Sequence, residues 1–325
     1  MTKRRGKIDF KSIEFADKPA LVKGGLDFGY CLKIFLEELE VKNLAYHTCR
    51  WHRENLYYVA KTLEYLNLPT EPINITSKSV KECILYWKRE RNLSPTTINH
   101  RIRSLKQFFL FLCIEAIVND SPVKDFEKLK GPKVIIKPFQ EDELRKLFNQ
   151  PDKTTFVGFR DYTMMLVFLD TGVRLIEMEH MKTSSVDLKN NKILVFGKGA
   201  KEREVVFQST TKEYLRRYLL LRGELIHDYL WVSDTNEPMK RRNFGERLTI
   251  YGNMAVLKDV RVSPHTFRHT CAKMYITRGG DILSLQKLLG HSTLEMVRHY
   301  VNLWGSDLQQ MHKRYSPVEN LFSSV

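Results

Sequence analysis

Residues 265–300 read HTFRHTCAKMYITRGGDILSLQKLLGHSTLEMVRHY. His265 and Arg268 stand three positions apart, so a helix would carry both on one face. An apolar helical rhythm follows in Ile276, Ile282, Leu285, Leu288 and Leu289. Leu288-Leu289-Gly290-His291 reads as a helix stopped by Gly290, with His291 just past the stop. A second short helix from about Thr293 is expected to carry Tyr300 back toward the first.

Upstream of this stretch, residues 141–149 and 159–170 read as helices. Between them and box 265–300 lies SVDLKNNKILVFGKGAKEREVVFQ (185–208), where apolar and polar residues alternate around Asn190-Asn191 and Gly197-Lys198-Gly199. Alternation broken by tight-turn residues predicts a small antiparallel sheet. Helices resume from about Thr210, and KRRNF (240–244) places a basic cluster before another one. The tail after Tyr300, ending MHKRYSPVENLFSSV, reads as a short helix and an extension.

Further out, residues 131–140 contain Gly131, Pro132 and Pro138 among lysines, and read as a basic linker between two domains. Residues 26–130 carry four helical patterns. The fourth opens on Ser94-Pro95, an N-cap followed by proline in the first turn, and runs on the stripe Ile98, Ile102, Leu105, Phe108, Phe109, Leu112. Arg101, Arg103 and Lys106 are read as lying off that stripe, on either a phosphate-facing or a simply solvated surface. Residues 1–25 are basic and weakly periodic: an arm whose Lys3, Arg4, Arg5 and Lys7 sit on phosphates, or an ordinary solvated terminus.

The composition narrows the partner. Fifty-three Lys and Arg stand against 38 Asp and Glu in 325 residues, a formal charge of +15. Such an excess favours a polyanion, nucleic acid or an anionic membrane. No apolar run approaches the ~18 residues of a membrane span, and the basic start lacks the apolar core of a signal peptide. The five cysteines are scattered, with no Cys-x-x-Cys, as expected of reduced thiols in a cytoplasmic protein rather than a zinc site or disulfide framework. Neither a P-loop nor a metal-type histidine cluster appears, so neither cofactor nor metal is expected.

The 265–300 stretch resembles box II of the tyrosine recombinases (lambda-integrase-like and Xer-like): H-x-x-R-H-T, a spacer, L-L-G-H, then Tyr nine residues after that His. Asp170-Thr-Gly-Val-Arg-Leu-Ile-Glu177 resembles box I, and GKGAKER resembles the hairpin that carries the family's catalytic lysine. Residues 26–130 are similar to the family's SAM-like core-binding domain, with Leu44-Ala45-Tyr46-His47-Thr48 and Asn119-Asp120-Ser121-Pro122-Val123 at familiar places. The departures are small: Ile176 where many members have Ser, and Cys271 and Lys273 after R-H-T. The implied fold is mainly α with a small antiparallel β-sheet, a two-domain DNA clamp: arm 1–25, core-binding domain 26–130, linker 131–140, catalytic domain 141–325.

The implied chemistry suits the residues. Arg174 and Arg268 fit a bidentate grip on a phosphodiester, charged at any relevant pH. His265 and His291 fit further donors, with His265 also placed to help take the tyrosine proton. Tyr300 fits the nucleophile, with Tyr315 the nearest competitor among 14 tyrosines. Lys198 fits the acid for the leaving 5′-oxygen, with Lys201 its rival. Glu177, one turn after Arg174, fits a salt bridge that orients it. Candidate DNA contacts are Arg101, Arg103, Lys106, Lys201, Arg203, Lys240, Arg241 and Arg242. The resemblance implies a site-specific recombinase, integrase or transposase of a mobile element or phage, working through a 3′-phosphotyrosyl link and a Holliday junction as a tetramer on two double-stranded DNA sites. Two rival readings are a type IB topoisomerase-like relaxase, with the same chemistry but no strand exchange, and a DNA-binding module without cleavage.

Overall fold

The computed structural model describes residues 26–131, 136–197 and 202–290, together with Thr293, His312 and Val318. The chain divides into two compact units, Met1–Val134 and Ile135–Val325. The expected arm at 1–25, the Lys198 turn and everything read for His291, the helix from Thr293 and Tyr300 lie outside the described residues.

Among the described residues four α-helices build the first unit: α1 (Phe28–Val41), α2 (Tyr46–Tyr65), α3 (Ser77–Arg89) and α4 (Pro95–Ile114). Local chemistry sets their ends. Asp27 and Ser94 accept from the third amide beyond them at 2.9 and 3.2 Å, and Pro95 holds the first position of α4, where a missing N–H costs nothing. Asn43, Asn67 and Asn92 adopt positive φ just past α1, α2 and α3, the left-handed stop that asparagine tolerates. Inside, Phe35, Leu56, Trp87, Phe108 and Phe109 are buried, and the Trp87 indole donates to Thr62 Oγ1 at 2.8 Å.

α4 corrects one expectation. Arg101 was read as off the apolar stripe, yet it is 9% exposed and lies over the Trp87 ring at 4.7 Å. The reason is helical geometry: Arg101 sits three residues after Ile98 and four before Leu105, which is the stripe itself. Arg103 instead reaches over Trp51, and Lys106 donates to the Lys124 carbonyl.

The second unit begins with α5 (Glu141–Phe148), α6 (Phe156–Thr171) and α7 (Leu175–Glu179). A three-stranded antiparallel sheet follows in the order β1 (Val186–Asp187), β2 (Lys192–Phe196), β3 (Glu202–Val206). Asn191 takes positive φ in the first turn, while Asp187 accepts from Asn190 at 2.9 Å. Val195 pairs Arg203 and Ile193 pairs Val205, so Ile193, Val195 and Val205 share the buried face. Among the described residues up to 290 there follow the helices α8 (Ser209–Arg222), α9 (Arg241–Met254), α10 (Pro264–Thr277) and α11 (Ile282–Leu289).

Two boundaries differ from the sequence reading. The apolar rhythm of 276–289 is carried by two helices, because Gly279 and Gly280 close α10 and Asp281 caps α11 through Ser284 N at 2.9 Å. The last residues of the expected linker pack into the second unit: Phe139 is 2% exposed, its ring lies 5.2 Å from Phe267, and its amide donates to Thr270 Oγ1 at 2.9 Å. The five cysteines are free thiols. Among the described residues no helix is long and apolar enough to cross a membrane.

Phe267 is fully buried between Phe139, Phe148 and Phe168. Phe267→Ala is expected to cost the second unit about 3–5 kcal/mol. Hydrogen exchange resolved by peptide checks this: protection should fall across 136–290 and stay unchanged across 26–131.

Candidate functional site

Box I is built by a helix stop and a helix start in immediate succession. Gly172 closes α6 at φ 60°, a conformation that disfavours a side chain. A Cβ there would also meet Leu289 Cδ2 at 2.7 Å and Cys271 Sγ at 3.2 Å, so glycine lets the end of α6 lie this close to Leu289 and Cys271. Two residues on, Arg174 is the N-cap of α7, and its amide donates to Glu177 Oε2 at 2.7 Å. Its guanidinium turns back to Glu177 Oε1 at 3.0 Å. The salt bridge read from the sequence is therefore present, on a carboxylate that is 1% exposed.

Glu177 has a second cation that the sequence reading assigned elsewhere. Arg203 was expected among the DNA contacts. It is only 15% exposed and donates Nη2 to Glu177 Oε2 at 2.7 Å. Its Nη1 donates to the Leu288 carbonyl. A signal for this existed: in Arg203-Glu204-Val205-Val206-Phe207 the two-residue strand period puts Arg203 on the side of Val205 and Phe207, both fully buried.

Arg268 lies on α10, which starts with the N-cap Ser263, its hydroxyl accepting from Thr266 N at 3.3 Å, and with Pro264. Its partner in the sequence reading, His265, is exposed, whereas Arg268 is 6% exposed. Arg268 donates Nη1 to the Gly172 carbonyl at 2.6 Å and Nη2 to the Leu289 carbonyl at 2.7 Å, tying box I to the end of α11. Arg174 completes the pattern by donating Nη2 to the Gly290 carbonyl at 2.8 Å.

Three guanidiniums thus meet three consecutive carbonyls: Arg203 at Leu288, Arg268 at Leu289 and Arg174 at Gly290. These carbonyls belong to the last turn of α11, where no helical amide reaches them and the helix dipole is negative. Gly290 itself stands at φ 63°, and a Cβ on it would meet Arg203 Nε at 2.5 Å. Glycine is required there both to stop the helix and to let the arginine pass.

Burial pushes the Glu177 carboxyl upward, but the Arg203 guanidinium, the Arg174 amide and the Arg174 guanidinium outweigh it and hold the group below the ordinary glutamate value. Burial lowers the Arg203 guanidinium, against Glu177. Among the described residues two guanidiniums, Arg174 and Arg203, share this one carboxylate, which leaves surplus positive charge at the point where His291 follows Gly290 in the chain. Arg174 keeps 34% of its side chain exposed, so its guanidinium remains open to an anion.

The other candidates are dispersed. Arg241 opens α9 and pairs with Glu179 of α7 at 2.8 Å; Arg242 pairs with Glu246 at 2.6 Å and is 82% exposed; Lys240 is exposed at the N-cap. Lys198, Lys201, His291 and Tyr300 lie outside the described residues. Among the described residues no group of His, Cys, Asp and Glu is placed to hold a metal ion.

A model of the phage integrase family matches residues 137–305. Tyrosine recombinase XerC of Bacillus subtilis is 31% identical over 298 residues, covering 88% of this chain and 96% of that protein. Tyrosine recombinase XerD of Vibrio cholerae is 27% identical over 281 residues, covering 85% and 92%. Two solved structures share the fold. A lambda integrase dimer bound to a COC′ core site superposes with TM-score 0.69 at 18% identity, over 83% of this chain and 97% of that one. The Tn1549 transposon integrase in complex with transposon right end DNA gives 0.69 at 19%, over 90% and 99%.

Arg203→Met should destabilise the second unit by about 3–5 kcal/mol at pH 7, because it strips a buried carboxylate of a cation. The sign with pH follows from Glu177. Its lowered folded pKa contributes stability above the unfolded value, lost as pH falls through the folded one. In the variant that pKa rises, so the gap between variant and wild type should narrow in acid. Urea titrations at pH 7 and pH 4 measure it; an equal gap at both would detach Arg203 from Glu177.

Proposed function

The chain belongs to the phage integrase family, the tyrosine recombinases that exchange DNA strands at specific sites, and on that premise we propose that Tyr300 is its nucleophile and that Arg174 and Arg268 hold the phosphodiester it attacks. One observation carries the assignment: Arg174 and Arg268, 94 residues apart in sequence, converge on the adjacent carbonyls of Gly290 and Leu289, directly before His291.

The chemistry follows. A phosphodiester entering the surplus of positive charge takes donors from the arginine forks, which stay charged throughout. The Tyr300 oxygen attacks phosphorus as its proton passes to His265, and the new O–P bond replaces the bond to the 5′-oxygen. Lys198 delivers a proton to that leaving oxygen. The result is a 3′-phosphotyrosyl link and a free 5′-hydroxyl. The ester link conserves the bond, so a 5′-hydroxyl from another duplex reverses the step without ATP. His291 donates to the developing charge, and the buried Glu177 orients Arg174 from behind. Guanidiniums fixed before the substrate arrives need no reorganisation as charge builds, which is the larger part of such catalysis.

We take the partner as double-stranded DNA, with four protomers on two sites and a Holliday junction between two rounds of exchange. The +15 charge supports a polyanionic partner. The task in the cell is read as integration or transposition of a mobile element, by a cytoplasmic protein associated with the nucleoid. The surface pairs of Arg241 with Glu179 and Arg242 with Glu246 are open to exchange for phosphates, since exposed ion pairs are weak.

A nicked suicide duplex carrying a cognate site should give a denaturation-resistant protein–DNA adduct, and Tyr300→Phe should abolish it. Adduct formation by the phenylalanine variant would move the nucleophile elsewhere. Arg268→Gln should slow cleavage by about 10²–10³-fold. Lys198→Ala should regain cleavage on a substrate with a 5′-thiolate leaving group, which departs without a proton; absence of rescue would transfer the acid to Lys201. Two differently labelled duplexes should exchange partners, which a relaxase acting alone would not produce.

A further inference from the structure

Arg203 and Arg174 compete for one carboxylate, and the way they divide it sets what Arg174 is free to do. Glu177 Oε2 accepts from the Arg174 amide at 2.7 Å and from Arg203 Nη2 at 2.7 Å. Glu177 Oε1 accepts from Arg174 Nη1 at 3.0 Å and from Arg203 Nε at 3.4 Å. An ionised carboxylate favours an arginine in a fork, with one N–H on each oxygen. Arg203 holds that place, and the Arg174 guanidinium is left a single contact with the group through Nη1. Arg174 Nη2 goes instead to the Gly290 carbonyl, and the side chain stays partly exposed.

Arg203 is fixed from its own side. Its backbone pairs with Val195 in the sheet, and its Nη1 donates to the Leu288 carbonyl. Gly290 gives it room, because a Cβ there would lie 2.5 Å from its Nε. Burial lowers the pKa of Arg203, Glu177 raises it, and the charge of Arg174 lowers it again, as two cations facing one anion require. A buried charge without a counter-ion is costly, whereas an exposed one is met by water. The buried Arg203 therefore has the stronger claim on Glu177, and the more exposed Arg174 keeps its charge for another anion.

We propose that Arg203 is a positioning residue that keeps Arg174 available to the phosphodiester, by occupying the Glu177 oxygen on which Arg174 would otherwise close a fork. The role rests on the assignment of Arg174 to the phosphodiester made above. Without Arg203, Oε2 has room for a second N–H of the Arg174 guanidinium. Glu177 would then cancel the Arg174 charge, and the phosphate would lose a donor. The competition has a consequence opposite to that of an ordinary support: neutralising Glu177 should repair what removing Arg203 damages.

The nicked suicide duplex is cleaved under single-turnover conditions by the wild-type chain, Arg203→Met, Glu177→Gln and the double variant. The rate constant reports the bound complex and the adduct amplitude reports the folded fraction, so lost stability shows in the amplitude. Arg203→Met is expected to lower the rate constant by about 10–100-fold, the range for one hydrogen bond to a charged group. The double variant is expected to cleave as fast as Glu177→Gln alone and faster than Arg203→Met alone, because a neutral amide does not draw Arg174 in. A double variant as slow as Arg203→Met, or slower, overturns the competition. So does an Arg203→Met that keeps the wild-type rate constant and loses amplitude only, which leaves Arg203 as a support of the fold. Should Arg203→Met fail to fold, Arg203→Lys keeps the charge without the fork. Its smaller loss of rate should vanish when combined with Glu177→Gln, and persistence of that loss overturns the proposal. A wild-type chain that forms no adduct counts against the recombinase assignment and removes this role with it. A wild-type chain that cleaves keeps that assignment whatever the variants do.

Discussion

Three arginines close the carboxyl end of one short helix, and the second unit is assembled around that closure. α11 spans only Ile282–Leu289, so its final carbonyls are a large share of its backbone. Left bare in a partly buried place they would be costly. Arg203 comes from β3, Arg268 from α10 and Arg174 from the start of α7, so three elements far apart in sequence are registered by one helix end. The match is electrostatic as well as geometric, since the carbonyl end of a helix carries partial negative charge.

That closure explains the two glycines at its edges. Gly172 and Gly290 both take left-handed backbone, and both stand where a Cβ would collide with a neighbour: Leu289 in one case, Arg203 in the other. Any side chain would push α11 off its arginines. Glu177 then balances the charge. Buried at 1% exposure, it takes the Arg174 amide and two guanidiniums, which fixes Arg174 and Arg203 relative to each other. Among the described residues one carboxylate is shared by two guanidiniums, which leaves a net positive charge that a phosphodiester would balance.

Most elements were legible in the chain. The four helices of the first unit followed from apolar spacing and from Ser94-Pro95, and the structure adds Asp27 and the asparagine stops as further local signals. The antiparallel sheet followed from alternation in 192–206. What was misread was the environment of single charged residues. Arg101, read as lying off the apolar stripe, occupies a core position of α4; Arg203, expected among the DNA contacts, shares the inward side of β3 with Val205. In both cases the helix or strand period, followed strictly, puts the residue on the inward side.

The sequence alone determined the family, the helical and strand segments and the residue types at the chemical positions, because spacing within a motif depends only on local backbone geometry. It also placed Glu177 one turn from Arg174, a pairing that needs nothing beyond a helix start. Only the tertiary structure decided where the guanidiniums point. Arg268 meeting both Gly172 and Leu289, and Arg203 crossing from β3 to Glu177 and Leu288, join positions 21 to 96 residues apart. Long, flexible side chains have no direction in a linear pattern; their direction is set by which unpaired carbonyl or carboxylate the packed chain brings within reach.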